Sequence, residues 1–260
     1  MSKLDLDDYE VFFLDMDGVI VMSGRPIPGA VESVNRLKSY GEVYVLSNNS
    51  TRTRERFAEN LFDLGVDLPP ERVVNSAFVL AEYLLEKRGP SSVFTVGEEG
   101  LDQELEEVGH DVVVPEESEV LAVGMDRELT YDELDRALTG LAKGATFFAT
   151  NSDGTFPTPD GESPGAGACV GAIKGMGFEP KRIVGKPSRI AAEIALEAAG
   201  KPEPGDCLVI GDRLETDIRL AERANMDSVL ILSGVETTDS LRESELKPTY
   251  VFEELSDLFS

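Results

Sequence analysis

Short apolar runs alternate with helical patterns along the whole chain, and this rhythm limits the possible folds more than any other feature. The apolar runs predict buried strands at residues 11–14, 43–46, 183–184, 207–210 and 229–232. The segments between them predict helices at residues 29–39, 54–64, 187–199 and 215–224. This alternation predicts an α/β fold, with a doubly wound parallel sheet and helices on both faces. In such sheets, ligands bind beyond the carboxyl ends of the strands.

The middle of the chain shows a second alternation of predicted strands and helices. Ser76 and Thr130 are placed to cap two further helices. Further strands are predicted near residues 93–96, 112–114, 120–124 and 146–149, followed by a polar loop at 151–164. We therefore predict a Rossmann-like core domain over residues 1–79 and 181–260, with a smaller α/β cap domain inserted at 80–180.

The charge of the chain excludes several kinds of partner. There are 50 Asp and Glu against 24 Lys and Arg, which gives a formal net charge of -26. Such a surface repels nucleic acid and anionic membranes, so we expect neither as a partner. At about 1 M salt the Debye length is only about 3 Å, and the self-repulsion largely vanishes. We therefore expect a halophilic host; the alternative is an acidic protein from an ordinary host.

Cysteine and histidine, which many metal sites and many nucleophilic enzymes use, are scarce in this chain. Cys169 and Cys207 form neither a disulfide framework nor a metal-binding spacing, and we expect both to be small buried side chains. His110 is the single histidine, which excludes a Ser-His-Asp triad and a zinc helix with paired histidines. It lies in a polar stretch, so we expect it at the surface.

The chain shows no sign of a membrane segment. No apolar run approaches the roughly 18 residues that a membrane-spanning helix needs. The first residues are acidic and lack the basic segment of a secretory signal. We therefore expect a cytoplasmic protein.

Four polar motifs each lie just past a predicted strand of the core domain. They are Asp15 with Asp17, Ser47 with Asn48 and Asn49, Lys186, and Asp212 with Asp217. Each has an ordinary explanation when it is taken alone. Asp-x-Asp arises by chance in so acidic a chain, Ser and Asn cap helices, an isolated lysine is usually solvated, and acids favour helix N-termini. Since the carboxyl ends of parallel strands meet at one edge, the four together predict a single site.

The residue types of these motifs suit a phosphate group and a hard cation. The Ser47 hydroxyl and the amides beside it can donate hydrogen bonds to phosphate oxygens. Lys186 can neutralise a phosphate as a point charge. Carboxylate oxygens without His or Cys favour Mg²⁺ over Zn²⁺, and Asp212 and Asp217 would help to hold it.

In this order, the four motifs resemble the phosphatase branch of the haloacid dehalogenase (HAD) superfamily. The resemblance covers almost the whole chain, and it is strongest for subfamily IIA, with its NagD-like and 4-nitrophenylphosphatase-like members. Supporting matches lie at residues 27–30, 47–50 and 184–188. The stretch from Asp17 to Ser47 is too short for an extra domain, whereas the stretch from Ser47 to Lys186 has room for the cap of this subfamily.

The resemblance implies the chemistry of the acidic residues. Asp15 would be the nucleophile that forms an aspartyl phosphate, and Asp17 the general acid and base. Mg²⁺ would be held by Asp15, Asp212 and the backbone carbonyl of Asp17. Asp217 would give a supporting, water-mediated contact to the metal.

The resemblance also implies how a substrate would bind. The residues that would hold the phosphoryl group are Ser47, Asn48, Asn49 and Lys186. Cap loops around residues 151–153 and 164–168 resemble the specificity segment of the subfamily. A sugar phosphate, phosphoglycolate, glycerol phosphate, nucleotide monophosphate or p-nitrophenyl phosphate would all fit as the small-molecule phosphate ester. Dimers formed through the cap occur in the subfamily, which makes a homodimer possible here.

Three other functions are alternatives. The glycines of residues 165–171 suggest a dinucleotide loop, but Val170 stands where the third glycine belongs and no strand precedes them, so close helix packing explains them better. A dehalogenase would lack the second acid, Asp17. A non-catalytic phosphometabolite-binding protein on the same fold would be expected to have lost one of the acidic or basic site residues.

Salt should stabilise this chain. Raising KCl from about 0.1 M to about 3 M screens the repulsion among the acidic side chains, so we expect a higher melting temperature at the higher concentration. Thermal melts in the two solutions test this. Greater stability in the dilute buffer would contradict the expectation of a halophilic host.

Overall fold

The structure is a computed structural model that describes residues 4–22, 24–158 and 161–260. The chain folds into two compact units. The first unit comprises the described residues of Met1–Ser47, Phe57–Val74 and Lys186–Ser260, and the second comprises those of Asn48–Arg56 and Asn75–Gly185. The division predicted from the sequence, with a cap domain over residues 80–180, stays a prediction.

The strands of the described residues are short, and in chain order they have the following bounds. They are β1 (Val11–Leu14), β2 (Val21–Met22), β3 (Arg25–Pro26), β4 (Glu42–Ser47), β5 (Val73–Asn75), β6 (Ser92–Val96), β7 (Asp111–Val112), β8 (Val120–Val123), β9 (Thr146–Ala149), β10 (Thr155–Thr158), β11 (Gly161–Pro164), β12 (Arg182–Ile183), β13 (Cys207–Gly211), β14 (Asp227–Ile231) and β15 (Tyr250–Phe252).

The helices alternate with these strands. The α-helices are α1 (Ala30–Leu37), α2 (Arg54–Asp63), α3 (Ser76–Arg88), α4 (Glu99–Glu107), α5 (Tyr131–Ala142), α6 (Ala166–Gly175), α7 (Arg189–Ala198), α8 (Arg219–Ala224) and α9 (Thr238–Glu243). A π-helical turn at Leu214–Ile218 leads into α8. Short 3₁₀ turns lie at Leu6–Asp8, Pro70–Arg72, Pro115–Glu117, Pro204–Asp206 and Leu255–Phe259.

The first unit is built on a six-stranded sheet with the order β15-β14-β13-β1-β4-β5. The pairings of β1 with β4 and β13, and those of β14 with β13 and β15, are parallel. Side chains of β1 alternate between the two faces, as the pleat requires. Phe12 and Leu14 join an apolar cluster that includes Val34 of α1, whereas the Phe13 ring lies 5.7 Å from that of Tyr44. The Tyr44 hydroxyl donates to the carbonyl of Ala198 in α7, 3.2 Å away. Helices therefore cover both faces, and the predicted α/β fold class is confirmed.

The second unit has its own parallel sheet of five strands, in the order β12-β9-β8-β6-β7. Its apolar core joins Leu121 of β8 and Phe147 of β9 to Leu141 of α5 and Ile173 of α6. The predicted capping box of Thr130 is present at the start of α5. No helix in the described residues is long and apolar enough to cross a membrane.

Three sequence predictions about local structure are wrong. The strand predicted for the core sheet at residues 183–184 does not join it, because Arg182–Ile183 pairs with Phe148 and Ala149 in the sheet of the second unit. Asn75, not Ser76, caps α3, because its side chain accepts from the backbone N–H of Phe78. The predicted loop at 151–164 contains the antiparallel hairpin of β10 and β11. Residues 159 and 160, which fall within that predicted loop, lie outside the described residues.

His110 is buried, so the prediction of a surface position is wrong. It is 3 % exposed. The backbone N–H of Ser91 donates to Nδ1 at 3.1 Å, which requires the proton on the other ring nitrogen. Nε2 lies 3.0 Å from the carbonyl oxygen of Ala81 and donates to it. The imidazole therefore satisfies two buried backbone groups, a use of a polar side chain that hydropathy alone does not reveal.

Removing this imidazole should destabilise the protein. His110→Leu leaves the Ser91 N–H and the Ala81 carbonyl without their partner, and each unsatisfied buried group costs about 1–3 kcal/mol. Urea denaturation measures the loss. The neighbouring Asp111→Asn, at an exposed position, is the control and should stay within about 0.5 kcal/mol of the wild type. Equal stability of His110→Leu and the wild type would contradict the assigned hydrogen bonds.

Candidate active site

The register of the first sheet brings three of the predicted motifs to one edge. Leu14 lies opposite both Ile210 of β13 and Val45 of β4. Asp15 follows directly after Leu14, and its backbone N–H donates to the carbonyl of Ile210 at 2.8 Å. Asp212 and Ser47 each come two residues beyond the level of Leu14 on the neighbouring strands, and Asp15 comes one residue beyond it. The sheet pairing, rather than any local signal, places these polar side chains at adjacent strand ends.

Lys186 connects two of the acidic residues. Its ammonium Nζ lies 2.9 Å from Oδ1 of Asp15 and 2.7 Å from Oδ1 of Asp217. The side chains of Lys186 and Asp217 are almost completely buried, and that of Asp15 is 11 % exposed. A lysine this deep in a protein requires carboxylate partners, and here it has two.

Asp217 comes from the π-helical turn that leads into α8. Its Oδ1 accepts from Lys186. Its Oδ2 accepts from the backbone N–H of Arg213 and from the hydroxyl of Thr216, both at 3.2 Å. Both oxygens are thus engaged by the protein itself, and the contacts fix the carboxylate that faces the ammonium group.

One carboxylate oxygen of Asp212 accepts a hydrogen bond, and the other accepts none from the described residues. Oδ2 accepts from the backbone N–H of Val235 at 2.9 Å. Oδ1 is buried without a hydrogen-bond partner among the described residues. One oxygen from each of Asp15, Asp212 and Asp217 lies within 4.8 Å of the others. A buried carboxylate oxygen without a hydrogen-bond partner, in an all-oxygen cluster, fits a hard divalent cation such as Mg²⁺.

Burial and mutual repulsion disfavour the charged forms of the carboxylates in this cluster when no cation is bound. Burial raises the pKa of Asp15 well above its ordinary value; Lys186 opposes that shift, and Asp217 and Asp212 add to it. Burial, with a further contribution from Asp217, raises the pKa of Asp212 to about 7. Burial alone would lower the pKa of Lys186, but Asp15 and Asp217 outweigh it and raise that pKa above its ordinary value. The lysine is therefore firmly charged, and the carboxylates still favour additional positive charge.

The remaining predicted residues have different surroundings. Asp17 is exposed, two residues beyond Asp15, and Ser47 is buried at the end of β4. Asn48 belongs to the second unit, where its Nδ2 donates to Oδ2 of Asp153 at 3.0 Å. The side-chain oxygen of Asn49 accepts from the backbone N–H and the hydroxyl of Thr51. The two asparagine side chains thus hold local structure in addition to any role toward a ligand.

Sequence reasoning missed the loop after β14. Gly234 and Val235 lie directly against Asp212, although neither belongs to the four motifs. A glycine shortly after the predicted strand at 229–232 was the only signal, and it is a weak one, because glycine is common in loops.

Comparison with known proteins defines the class. A family model described as haloacid dehalogenase-like hydrolase matches residues 12–111, and one described as HAD-like hydrolase matches residues 183–258. An acid sugar phosphatase of Staphylococcus aureus is 33% identical over 255 residues, which cover 97% of each chain. The structure of a p-nitrophenyl phosphatase from Archaeoglobus fulgidus is 36% identical with a TM-score of 0.90, covering 96% of this chain and 98% of the other. A glycerol phosphate phosphatase from Mycobacterium tuberculosis, solved with magnesium, is 30% identical with a TM-score of 0.90, covering 97% of this chain and 78% of the other.

A parallel α/β sheet with acidic residues clustered beyond its strand ends, matched by two hydrolase family models, defines a hydrolase. The chain belongs to the haloacid dehalogenase-like hydrolases. Within that family it is a phosphoric monoester hydrolase. The resemblance seen in the four sequence motifs is therefore confirmed at the level of family and enzyme class.

Lys186 should be essential for the stability of the metal-free protein. Lys186→Met leaves Asp15 and Asp217 buried without their shared countercharge, and breaking a buried ion pair in this way typically costs about 3–5 kcal/mol. The loss should grow from about pH 5 to about pH 8, because protonation at low pH relieves the uncompensated carboxylates.

Urea denaturation in EDTA measures this loss. Lys201→Met is the matched control, since Lys201 pairs with Glu197 on the surface and its side chain is 72% exposed. The control should change the free energy of unfolding by less than about 1 kcal/mol. Equal losses of unfolding free energy in the two variants would show that the buried ion pairs of Lys186 contribute no more to stability than a surface ion pair.

Proposed function

We propose that this hydrolase is a Mg²⁺-dependent phosphatase that cleaves a small-molecule phosphomonoester through an aspartyl phosphate on Asp15. The observation that carries the proposal is the arrangement of Asp15 against Lys186, with the orphaned oxygen of Asp212 in the same carboxylate cluster. This arrangement would combine a restrained nucleophile, a buried ammonium group and a cation site within one unit. These are the components that transfer of a phosphoryl group to a carboxylate requires.

The contacts of Asp15 favour attack by one particular oxygen. Its Oδ1 accepts from the backbone N–H of Met16 at 2.8 Å and from Lys186. Both contacts restrain the carboxylate, and they leave Oδ2 as the atom with lone pairs directed away from these donors. Oδ2 would attack phosphorus in line as the bond to the leaving oxygen breaks. The phosphoryl group is then held as an acyl phosphate on Asp15.

Asp17 would handle the protons of both steps. In the first step it gives a proton to the leaving alkoxide, which departs as an alcohol. In the second step the Asp17 carboxylate takes a proton from water, and the oxygen of that water attacks phosphorus. The bond from phosphorus to Asp15 breaks, inorganic phosphate leaves, and both carboxyl groups return to their starting state. The exposed position of Asp17 is compatible with contact to both the leaving group and water.

The cation would be held by Asp15, Asp212 and the backbone carbonyl of Asp17. When bound, Mg²⁺ supplies the positive charge that offsets the repulsion between a carboxylate nucleophile and a phosphate dianion. Asp217 has both oxygens engaged by the protein, so we assign it chiefly to holding Lys186, with any metal contact made through water.

Ser47, Asn48, Asn49 and Lys186 would receive the phosphoryl group. Ser47 is the last residue of β4, at the strand-end edge of the sheet, and Lys186 would contribute charge. Nδ2 of Asn48 donates to Asp153. The side-chain oxygen of Asn49 accepts from the backbone N–H of Thr51.

The substrate class is proposed from the relatives. They are named as acid sugar, p-nitrophenyl and glycerol phosphate phosphatases, and these names share a compact monoester and little else. We propose a sugar phosphate or another small polyol phosphate for this chain. A cytoplasmic location, a halophilic host and a homodimer stay predictions.

Replacing the nucleophile should abolish turnover. Asp15→Asn keeps the shape of the side chain but removes the attacking oxyanion, so phosphate release should fall by about 10³-fold or more. The assay is a screen of phosphate esters in about 3 M KCl, with and without Mg²⁺. Radiolabelled substrate should leave an acid-stable, base-labile label on the wild type and none on the variant.

The chain contains its own control for this experiment. Asp7, in a second Asp-x-Asp sequence, is exposed on the 3₁₀ turn near the start of the chain, and Asp7→Asn should keep full activity. Near-normal turnover of Asp15→Asn would overturn the nucleophile assignment. Full activity of the wild type in EDTA would overturn the metal dependence.

A further inference from the structure

The loop formed by Ser233, Gly234, Val235 and Glu236, which follows β14, packs against Asp212. A Cβ atom on Gly234 would lie 2.1 Å from Oδ2 of Asp212, far inside van der Waals contact. Gly234 does not have the positive φ that L side chains rarely adopt, so a positive φ is not the reason for glycine at this position. Glycine is therefore needed at this position because the loop approaches the carboxylate, not because of the turn itself.

The same loop determines which oxygen of Asp212 is available. The backbone N–H of Val235 donates to Oδ2 at 2.9 Å, while Oδ1 is the buried oxygen without a partner among the described residues. The Val235 side chain is 49% exposed and contributes little packing. A backbone donor has no rotamers of its own, so this hydrogen bond fixes the rotation of the carboxylate.

The loop is itself tied to two other parts of the site. The Ser233 hydroxyl donates to the backbone carbonyl of Gly18, in the turn after the Asp15 strand, at 3.2 Å. The Glu236 carboxylate accepts from the backbone N–H of Leu214 at 3.2 Å, in the turn that carries Asp217. Its second oxygen accepts from the Ser240 hydroxyl, which holds Glu236 against the start of α9. These ties fix the loop relative to the acidic residues of the site.

We infer that the loop of Ser233–Glu236 is a positioning element of the metal site, which presents Oδ1 of Asp212 to the cation. This inference rests on the metal dependence proposed above and extends it to residues outside the four motifs. Gly234 lets the loop approach Asp212, and the Val235 N–H orients the Asp212 carboxylate. Ser233 holds the loop to Gly18, in the turn that follows Asp15. Partners that orient a metal ligand typically affect metal affinity by about 10–100-fold when they are altered.

The test measures Mg²⁺ binding directly, by isothermal titration calorimetry on the full chain at high salt. Gly234→Ala places a methyl group on Asp212, and Val235→Pro removes the N–H donor without adding a group at position 234. Both should bind Mg²⁺ about 10–100-fold more weakly than the wild type. Gly205→Ala is the matched control, because Gly205 is exposed and a Cβ there would meet nothing within 4 Å.

Melting temperatures without Mg²⁺ separate positioning from general damage. A positioning role predicts weaker Mg²⁺ binding by variants whose metal-free melting temperature stays close to that of the wild type. Wild-type affinity in both Gly234→Ala and Val235→Pro would overturn the inference, as would an equal loss in Gly205→Ala. If one variant fails to fold, the other decides, since the two changes are chemically different. A wild type that binds no Mg²⁺ would instead overturn the proposed metal dependence itself.

Discussion

The site depends on the burial of one ammonium group between two carboxylates. The Lys186 ammonium lies 2.9 Å from Asp15 and 2.7 Å from Asp217, and all three side chains are removed from most of the solvent. With Asp212 in the same cluster, the acids outnumber the lysine by three to one. This imbalance is costly in a folded protein unless a cation relieves it. The arrangement that would make Asp15 a restrained nucleophile in the proposed reaction therefore also favours a divalent ion.

The sequence was sufficient for most of the elements but not for their partners. The apolar run at 11–14 coincides with β1, and the Thr130 capping box starts α5 as predicted. The strand near 183 also exists, yet it pairs with β9 in the second sheet. A run of two apolar residues shows that a strand is present, but its hydrogen-bonding edge is chosen by tertiary packing, which periodicity does not encode. His110 shows the same limit, because its burial depends on two backbone groups distant in sequence.

The candidate site divides in a similar way. Asp15 and Asp212 could be predicted because each directly follows a strongly apolar strand, and parallel pairing then places them side by side. The contacts that orient them could not be predicted. Asp217 faces Lys186 from the π-helical turn that carries it, and the loop of Ser233–Glu236 meets Asp212 because β13 and β14 are paired in the sheet. Motifs identify the charged atoms, whereas backbone donors from other loops determine their directions.

Close packing around Asp212 connects these observations. A Cβ atom at Gly18 or at Gly234 would lie 2.1 Å from its Oδ2, so two loops press on the same carboxylate from the turns after different strands. Neither contact adds charge, and both exclude water from a group whose pKa burial raises to about 7. Burial of this carboxylate would favour a cation in the proposed site, because the ion would replace the missing solvation. In a chain of net charge -26, whose surface repels a phosphate dianion, the proposed function requires attraction for the substrate from within the site, from Lys186 and from the cation that Asp212 would hold.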